Sequence, residues 1–168
     1  GIIKGVAKNL YNPMGTVTKA EFTALVVRAF GFDTTPVGTL NDVKPNKWYY
    51  REVMIAENFG LIQPDASNRF YPEKPITREE VCVLLVNALR ESADEFPVHD
   101  NSVLEKYADR NIVSPSALAS VAALVGEGIM EGTSSSTLSP KSTLTRAQAA
   151  VFVYRALNRY YQLQVFGN

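Results

Sequence analysis

The sequence predicts an all-α fold: three helix–loop–helix repeats set with pseudo-threefold symmetry around a central three-helix bundle. Three observations carry this expectation. First, three segments align without gaps. Gly1-Ile2-Ile3 leads through Tyr11-Asn12-Pro13 to Val17-Thr18-Lys19-Ala20-Glu21. Gly60-Leu61-Ile62 leads through Phe70-Tyr71-Pro72 to Ile76-Thr77-Arg78-Glu79-Glu80, and Gly128-Ile129-Met130 through Leu138-Ser139-Pro140 to Leu144-Thr145-Arg146-Ala147-Gln148. Gly to Thr is 17 positions in each copy and Pro to Thr is 5. Second, Thr18-x-x-Glu21, Thr77-x-x-Glu80 and Thr145-x-x-Gln148 are capping boxes: the Thr hydroxyl accepts from an amide three residues on, and the Glu or Gln accepts from the Thr amide. Third, the helices that follow, through Phe22–Phe30, Val81–Leu89 and Ala149–Leu157, are apolar on nearly every side. Such helices are buried, and three equivalent ones pack most simply on one another.

Taken in order, the 168 residues read as one domain: a partial first copy over 1–32, a second over 40–90 and a third over 103–159. The second copy opens with Leu40-Asn41-Asp42-Val43 and Trp48-Tyr49-Tyr50, before a helical pattern through Val53, Ile55, Ala56 and Phe59. The third opens with Tyr107-Ala108-Asp109-Arg110 and Ser116-Ala117-Leu118, before Val121, Leu124 and Val125. Gly60 and Gly128 fall where each of these first helices ends in a left-handed residue. Linkers follow Gly31 and Arg90. The first copy has no upstream half, so its prong is expected to leave Ile2, Ile3, Tyr11 and Phe22 uncovered. Three candidates could cover that surface: residues upstream of this sequence, the stretch from Tyr160 to Phe166, whose alternation through Tyr161, Leu163 and Val165 reads as an extended strand folding back, or a second chain in a homodimer through the truncated copy.

Composition narrows the function. Lys plus Arg number 17 and Asp plus Glu number 17, so the balanced chain lacks the surplus that nucleic acid or an anionic membrane surface requires. The longest apolar run, Val81 to Val86, is far shorter than a membrane span. One cysteine, Cys82, and one histidine, His99, cannot make an internal disulfide or a usual zinc cage. Cys82 reads as a buried, inert thiol. No nucleophile–base arrangement, metal motif or phosphate loop is present, so no cofactor and no catalysis are expected.

The pattern of Asp, then Trp, a helix, Gly-Ile-Ile, a loop ending in Phe-x-Pro, and Ile-Thr-Arg-x-Glu resembles the S-layer homology domain. The second copy carries it in Asp42-Val43, Trp48, Gly60-Leu61-Ile62, Phe70-Tyr71-Pro72 and Ile76-Thr77-Arg78-Glu79-Glu80. The resemblance covers nearly the whole chain. It implies a three-pronged helical module that anchors secreted proteins to the cell wall or S-layer of a Gram-positive-type bacterium. The implied partner is an acidic secondary cell-wall polysaccharide, often ending in a pyruvylated amino sugar held in grooves between repeats, with the motif's Arg among the contacts. Three positions depart from the pattern: Lys19 stands for Arg, Gln148 for Glu, and Ser116 for Trp. The rival reading is a helical-repeat scaffold for another protein. Three copies spaced 59 and 68 residues apart by their Thr positions suit a closed triplet better than an open stack.

Candidate ligand contacts follow from what structure leaves unexplained. Lys19, Arg78 and Arg146 each occupy the first position of a helix, where a cation opposes the dipole at a cost of about 0.3–1 kcal/mol. An anion docked on the orphan amides of the same helix start would account for all three. A guanidinium also offers a planar fork to a carboxylate. The alternative is pairing with an acid such as Asp42 or Asp109. On this reading, loss of the Arg78 side chain weakens binding and leaves the helix intact. Trp48 is divided between sugar platform and packing, and Asp42 and Asp109 between turn-former, Arg partner and ligand contact.

Overall fold

The structure, a computed structural model, describes residues 12–93 and 95–166. The chain orders itself from the three capping boxes outward. In each, the Thr hydroxyl accepts from the amide three residues on and the Glu or Gln side chain accepts from the Thr amide. These boxes start α1 (Lys19–Phe30), α3 (Arg78–Ser92) and α5 (Arg146–Phe166). The shorter α2 (Tyr50–Asn58) and α4 (Leu118–Gly126) are the first helices of the second and third copies, and 3₁₀ turns cover Asn101–Leu104 and Arg110–Ile112. Gly31, Gly60 and Gly128 are left-handed at φ 74°, 65° and 68°, where a Cβ would be strained. Among the described residues there is no sheet, only isolated bridges.

α1, α3 and α5 touch one another in the centre. What ties them is a closed ring of backbone bonds just before the caps. Val17 donates to the Leu144 carbonyl at 3.0 Å, Leu144 to Ile76 at 3.4 Å, and Ile76 back to Val17 at 3.0 Å. All three side chains are buried, so the ring closes away from water. Around it the core runs continuously through the five helices, with Phe22, Leu85, Leu89, Leu124 and Ile129 fully covered.

The loops that deliver the chain to these caps are held by Asp42 and Asp109. Asp42 accepts from the Phe70 amide at 3.0 Å and the Tyr71 amide at 2.7 Å. Asp109 accepts from the Leu138 and Ser139 amides, both at 2.8 Å. The second amide in each pair belongs to a non-glycine residue with positive φ, Tyr71 at 59° and Ser139 at 52°, directly before a proline. A left-handed backbone there costs energy, and the carboxylate clamp offsets it.

Two expectations change. The stretch from Tyr160 to Phe166 is not extended: it continues α5, with Tyr160 resting on Phe30 at 5.9 Å between ring centroids and Tyr161 61% exposed. Residues three and four apart decide a helix's buried face, so a local alternation of apolar residues fits a half-exposed helix end equally well. Phe22 is not uncovered but fully buried, while Ile2, Ile3 and Tyr11 lie outside the described residues. Among the described residues an uncovered apolar face lies on α5. α2 lies against α1 and α4 against α3, and Val27 and Val86 on those central helices are 2% and 0% exposed. Tyr154, at the same repeat position on α5, is 71% exposed, and no further helix lies on α5 among the described residues.

Replacing Asp42 by Ala removes two charge-assisted bonds and leaves a strained turn. We expect a loss of about 1.5–3 kcal/mol in chemical denaturation, and a similar loss for Asp109→Ala. Wild-type stability in both variants would show that the turns hold themselves.

Candidate functional site

Each junction between copies is built from the start of one central helix and the loop and central helix of the next copy. The first two amides of α3, from Arg78 and Glu79, donate to the Ser142 and Pro140 carbonyls at 2.9 and 3.0 Å. Those of α1, from Lys19 and Ala20, donate to Lys74 and Pro72 at 2.8 and 2.9 Å, and those of α5, from Arg146 and Ala147, to Gly15 and Pro13 at 2.9 and 3.0 Å. The third amide goes to the capping Thr and the fourth begins the helix. The helix starts therefore have no orphan amides to offer an anion. The sequence could not reveal this, because the carbonyls that fill them come from the neighbouring copy's loop.

The basic residues have cross-copy partners too. Lys19 Nζ lies 3.3 Å from Glu80 Oε1 and 4.8 Å over the centroid of the Phe70 ring. Arg146 Nη1 lies 3.3 Å from Glu21 Oε1. Neither pairs with Asp42 or Asp109, whose carboxylates hold the loops. The partner in both is the second oxygen of the capping-box glutamate. Its first oxygen already accepts from the Thr amide, at 2.8 Å for both Thr18 and Thr77.

Arg78 differs. Its Nε donates to the Leu138 carbonyl at 2.9 Å and its Nη2 to the Glu131 carbonyl at 2.5 Å. The Phe152 ring centroid is 5.6 Å from the guanidinium carbon. The residue is only 6% exposed. Burial pulls its pKa down and the nearby Asp109 pushes the other way, yet a guanidinium stays charged at any physiological pH. Among the described residues it has no carboxylate within ion-pair distance. The capping residue that lines the same groove is Gln148, whose single oxygen accepts from the Thr145 amide at 3.0 Å.

Arg78 lines a groove of about 270 Å³ together with Ile129, Glu131, Gly132, Ala147, Gln148, Val151, Phe152 and Arg155. Arg155 pairs with Glu131 at 3.1 Å at the rim. Among the described residues no carboxylate makes an ion pair with Arg78, although Asp109 acts on it through space. Sequence reading missed Arg155 and Phe152, although Gln148, Val151, Phe152 and Arg155 follow helical spacing on one face. It also missed Glu79, where the other copies have alanine. Glu79 is buried and accepts from the Ser114 amide at 3.0 Å, the Ser114 hydroxyl at 2.8 Å and Lys141 at 2.5 Å, fastening α3 to the approach of α4.

The remaining candidates lie apart from this groove. Trp48 is 59% exposed, edge-on to Tyr49 with ring centroids 5.3 Å apart, and does not line it. Tyr49 donates to Glu73 at 2.9 Å, and burial together with that carboxylate pushes its hydroxyl up to about 12. Asp42 reaches Lys19 through the loop it holds, where Phe70 carries the ring under the ammonium; Asp109 holds Leu138, whose carbonyl Arg78 grips, and also attracts the Arg78 guanidinium through space. Removing the Arg78 side chain would therefore loosen the third copy's loop as well as the groove, contrary to the sequence-based expectation of an unaffected fold. Cys82 is fully buried, its thiol pushed up to about 12 by desolvation, which leaves no reactive thiolate. Among the described residues no helix is long and apolar enough to cross a membrane, and no cluster of His, Cys, Asp and Glu could hold a metal ion.

This architecture has close parallels. The family model of the S-layer homology domain matches residues 39–82 and 106–150, more than half of the chain. The chain belongs to the S-layer homology family. It is 33% identical over 159 residues to an amylopullulanase of Thermoanaerobacterium thermosulfurigenes, covering 94% of this chain and 8% of that protein. It is 27% identical over 160 residues to the surface-layer 125 kDa protein of Lysinibacillus sphaericus, covering 94% of this chain and 13% of the relative. With the cellulosome-anchoring protein of Acetivibrio thermocellus the identity is 23% over 162 residues, 94% of this chain and 35% of the relative. The chain thus spans only a small part of each of these relatives.

The cross-copy ion pair has a pH signature. Burial opposes ionisation of Glu80, but the Thr77 amide and the Lys19 ammonium outweigh it, and the carboxyl titrates below its usual range. A depressed folded-state pKa contributes stability in full above the unfolded value, about 4.3, and loses it as pH falls through the folded value. We expect Glu80→Gln to melt below wild type at pH 7, with the gap closing toward pH 3. A gap independent of pH would mean that Glu80 acts only by its shape.

Proposed function

We propose that this chain is a non-catalytic anchoring module that binds an acidic secondary cell-wall polysaccharide of a Gram-positive-type bacterium. It would hold a secreted parent protein at the cell surface. The observation that carries the proposal is Arg78, a buried guanidinium without a carboxylate partner on the wall of a 270 Å³ groove. A terminal pyruvylated amino sugar suits that groove: its carboxylate would meet Arg78, and its ring would lie against Phe152 and Val151. Lys19, Arg146 and Trp48 are kept as further contacts for the polymer, with Lys19 and Arg146 weakened by their glutamate partners. Asp42 and Asp109 would contribute by shaping the loops. Family membership and relatives named as surface-layer and cellulosome-anchoring proteins support the anchoring role.

One charge-assisted pair is worth about 1.5–3 kcal/mol, or one to two decades of affinity. Calorimetry should therefore show the methyl glycoside of a pyruvylated amino sugar binding at least tenfold more tightly than its unpyruvylated parent. Arg78→Lys, which keeps the charge and loses the fork, should fall between the two. Equal affinity for both glycosides would overturn the reading.

A second reading rests on the open face of α5. Val151, Tyr154, Tyr161 and Val165 are 47–71% exposed along one helix. A second copy of the chain packed on this face would give a homodimer through α5 rather than through the first copy's core. Light scattering coupled to size exclusion should then report a dimer at micromolar concentration that Tyr154→Glu dissociates. A monomer under the same conditions would remove this reading.

A further inference from the structure

The three junctions are chemically unequal, and whether the cation has an ion-pair partner traces to one residue. At two of them a capping-box glutamate divides its oxygens between two duties. Glu80 Oε2 accepts from the Thr77 amide and Oε1 meets Lys19, while Glu21 Oε2 accepts from the Thr18 amide and Oε1 meets Arg146. Each neutralises the cation of the preceding copy with no help from outside. At the third junction the capping duty consumes the only oxygen of Gln148, and an amide nitrogen stands where the second carboxylate oxygen would be. Arg78 then donates to the Leu138 and Glu131 carbonyls and makes no ion pair among the described residues, feeling Asp109 only through space.

We propose that Gln148 is the specificity-determining residue of the Arg78 groove: lacking a second oxygen, it leaves this junction cationic and open to a carboxylate, whereas Glu80 keeps Lys19 occupied. The helix start does not create the site, since its amides are all engaged within the protein. The site is the buried guanidinium, the groove beside it and the missing ion-pair partner at position 148. The lining carries two cations, Arg78 and Arg155, against one carboxylate, Glu131. The identity of the natural ligand rests on the function proposed above, but the charge argument does not.

The test uses Gln148→Glu, which installs the residue the other two copies carry and so preserves the capping box. The probe is sodium pyruvate, with neutral pyruvamide as control, followed by NMR at the arginine Nε–H groups of the full chain. In the wild type, pyruvate should shift the Arg78 Nε–H saturably and pyruvamide should not. In Gln148→Glu the pyruvate affinity should fall by about 10- to 100-fold, the reach of one charge-assisted bond. The carboxyl introduced at position 148 should also titrate below the ordinary value of about 4.3. A wild type that does not respond to pyruvate, a variant that binds as well as wild type, or an introduced carboxyl that titrates normally would each overturn the proposal. If pyruvate binds at Arg78 as described but the pyruvylated glycoside binds no better than its parent, the glycan reading falls and the role of Gln148 stands.

Discussion

The cyclic exchange of backbone hydrogen bonds at the three helix starts is the constraint on which everything else depends. A helix start leaves amides that must find partners, and a buried one cannot turn to water. Here each copy supplies carbonyls to the start of another, in a ring that no single copy can close. The order within the ring is directional. The bonds before the caps, at Val17, Leu144 and Ile76, run one way round, and the bonds of the first helical amides run the other. A central helix cannot tilt or slide without breaking bonds to both neighbours. This rigidity also fixes where Lys19, Arg78 and Arg146 emerge, so the geometry of the junctions follows from the ring.

Much of this was legible in the residues. The three Thr caps, the left-handed glycines and the burial of α1 and α3 follow from local chemistry, and local chemistry is what a repeated motif displays; α5, with Val151 and Tyr154 exposed, is less buried than its sequence suggests. The partners across copies were not legible, because no sequence spacing announces that the Pro72 carbonyl meets the Ala20 amide. That gap misdirects the reading of the basic residues: a cation at a helix start looks unpaired when only its own helix is in view. Lys19 and Arg146 find glutamates 61 and 125 residues away. The α5 terminus illustrates a different limit. Tyr161, Leu163 and Val165 alternate over too few positions to separate a strand from a helix end on which only Leu163 of the three is partly buried, and continuity with the preceding helix decides it.

The repeat written in the sequence is not the unit of packing. α2 belongs by sequence to the second copy but lies against α1, and α4 of the third copy lies against α3. Each prong joins the end of one copy to the beginning of the next. Burial follows that division: Val27 and Val86 are covered where a following first helix is present, and Tyr154 is open where none lies on α5 among the described residues. The same interleaving makes the Arg78 groove a shared one, with its cation from the second copy and its loop, wall and capping residue from the third.

A shared groove can be retuned without disturbing the fold. The capping residue has two separable functions, since one oxygen holds the Thr amide and the other decides the charge of the groove. Glutamate and glutamine both perform the first, as the complete boxes at Thr77 and Thr145 attest. Only glutamate performs the second. An exchange between the two is therefore nearly silent for the helix while changing whether an incoming carboxylate meets a free cation or a neutralised one. Three copies that look alike at the level of helices can in this way present different chemistry at their junctions, with the backbone ring holding the frame constant while single side chains set the charge.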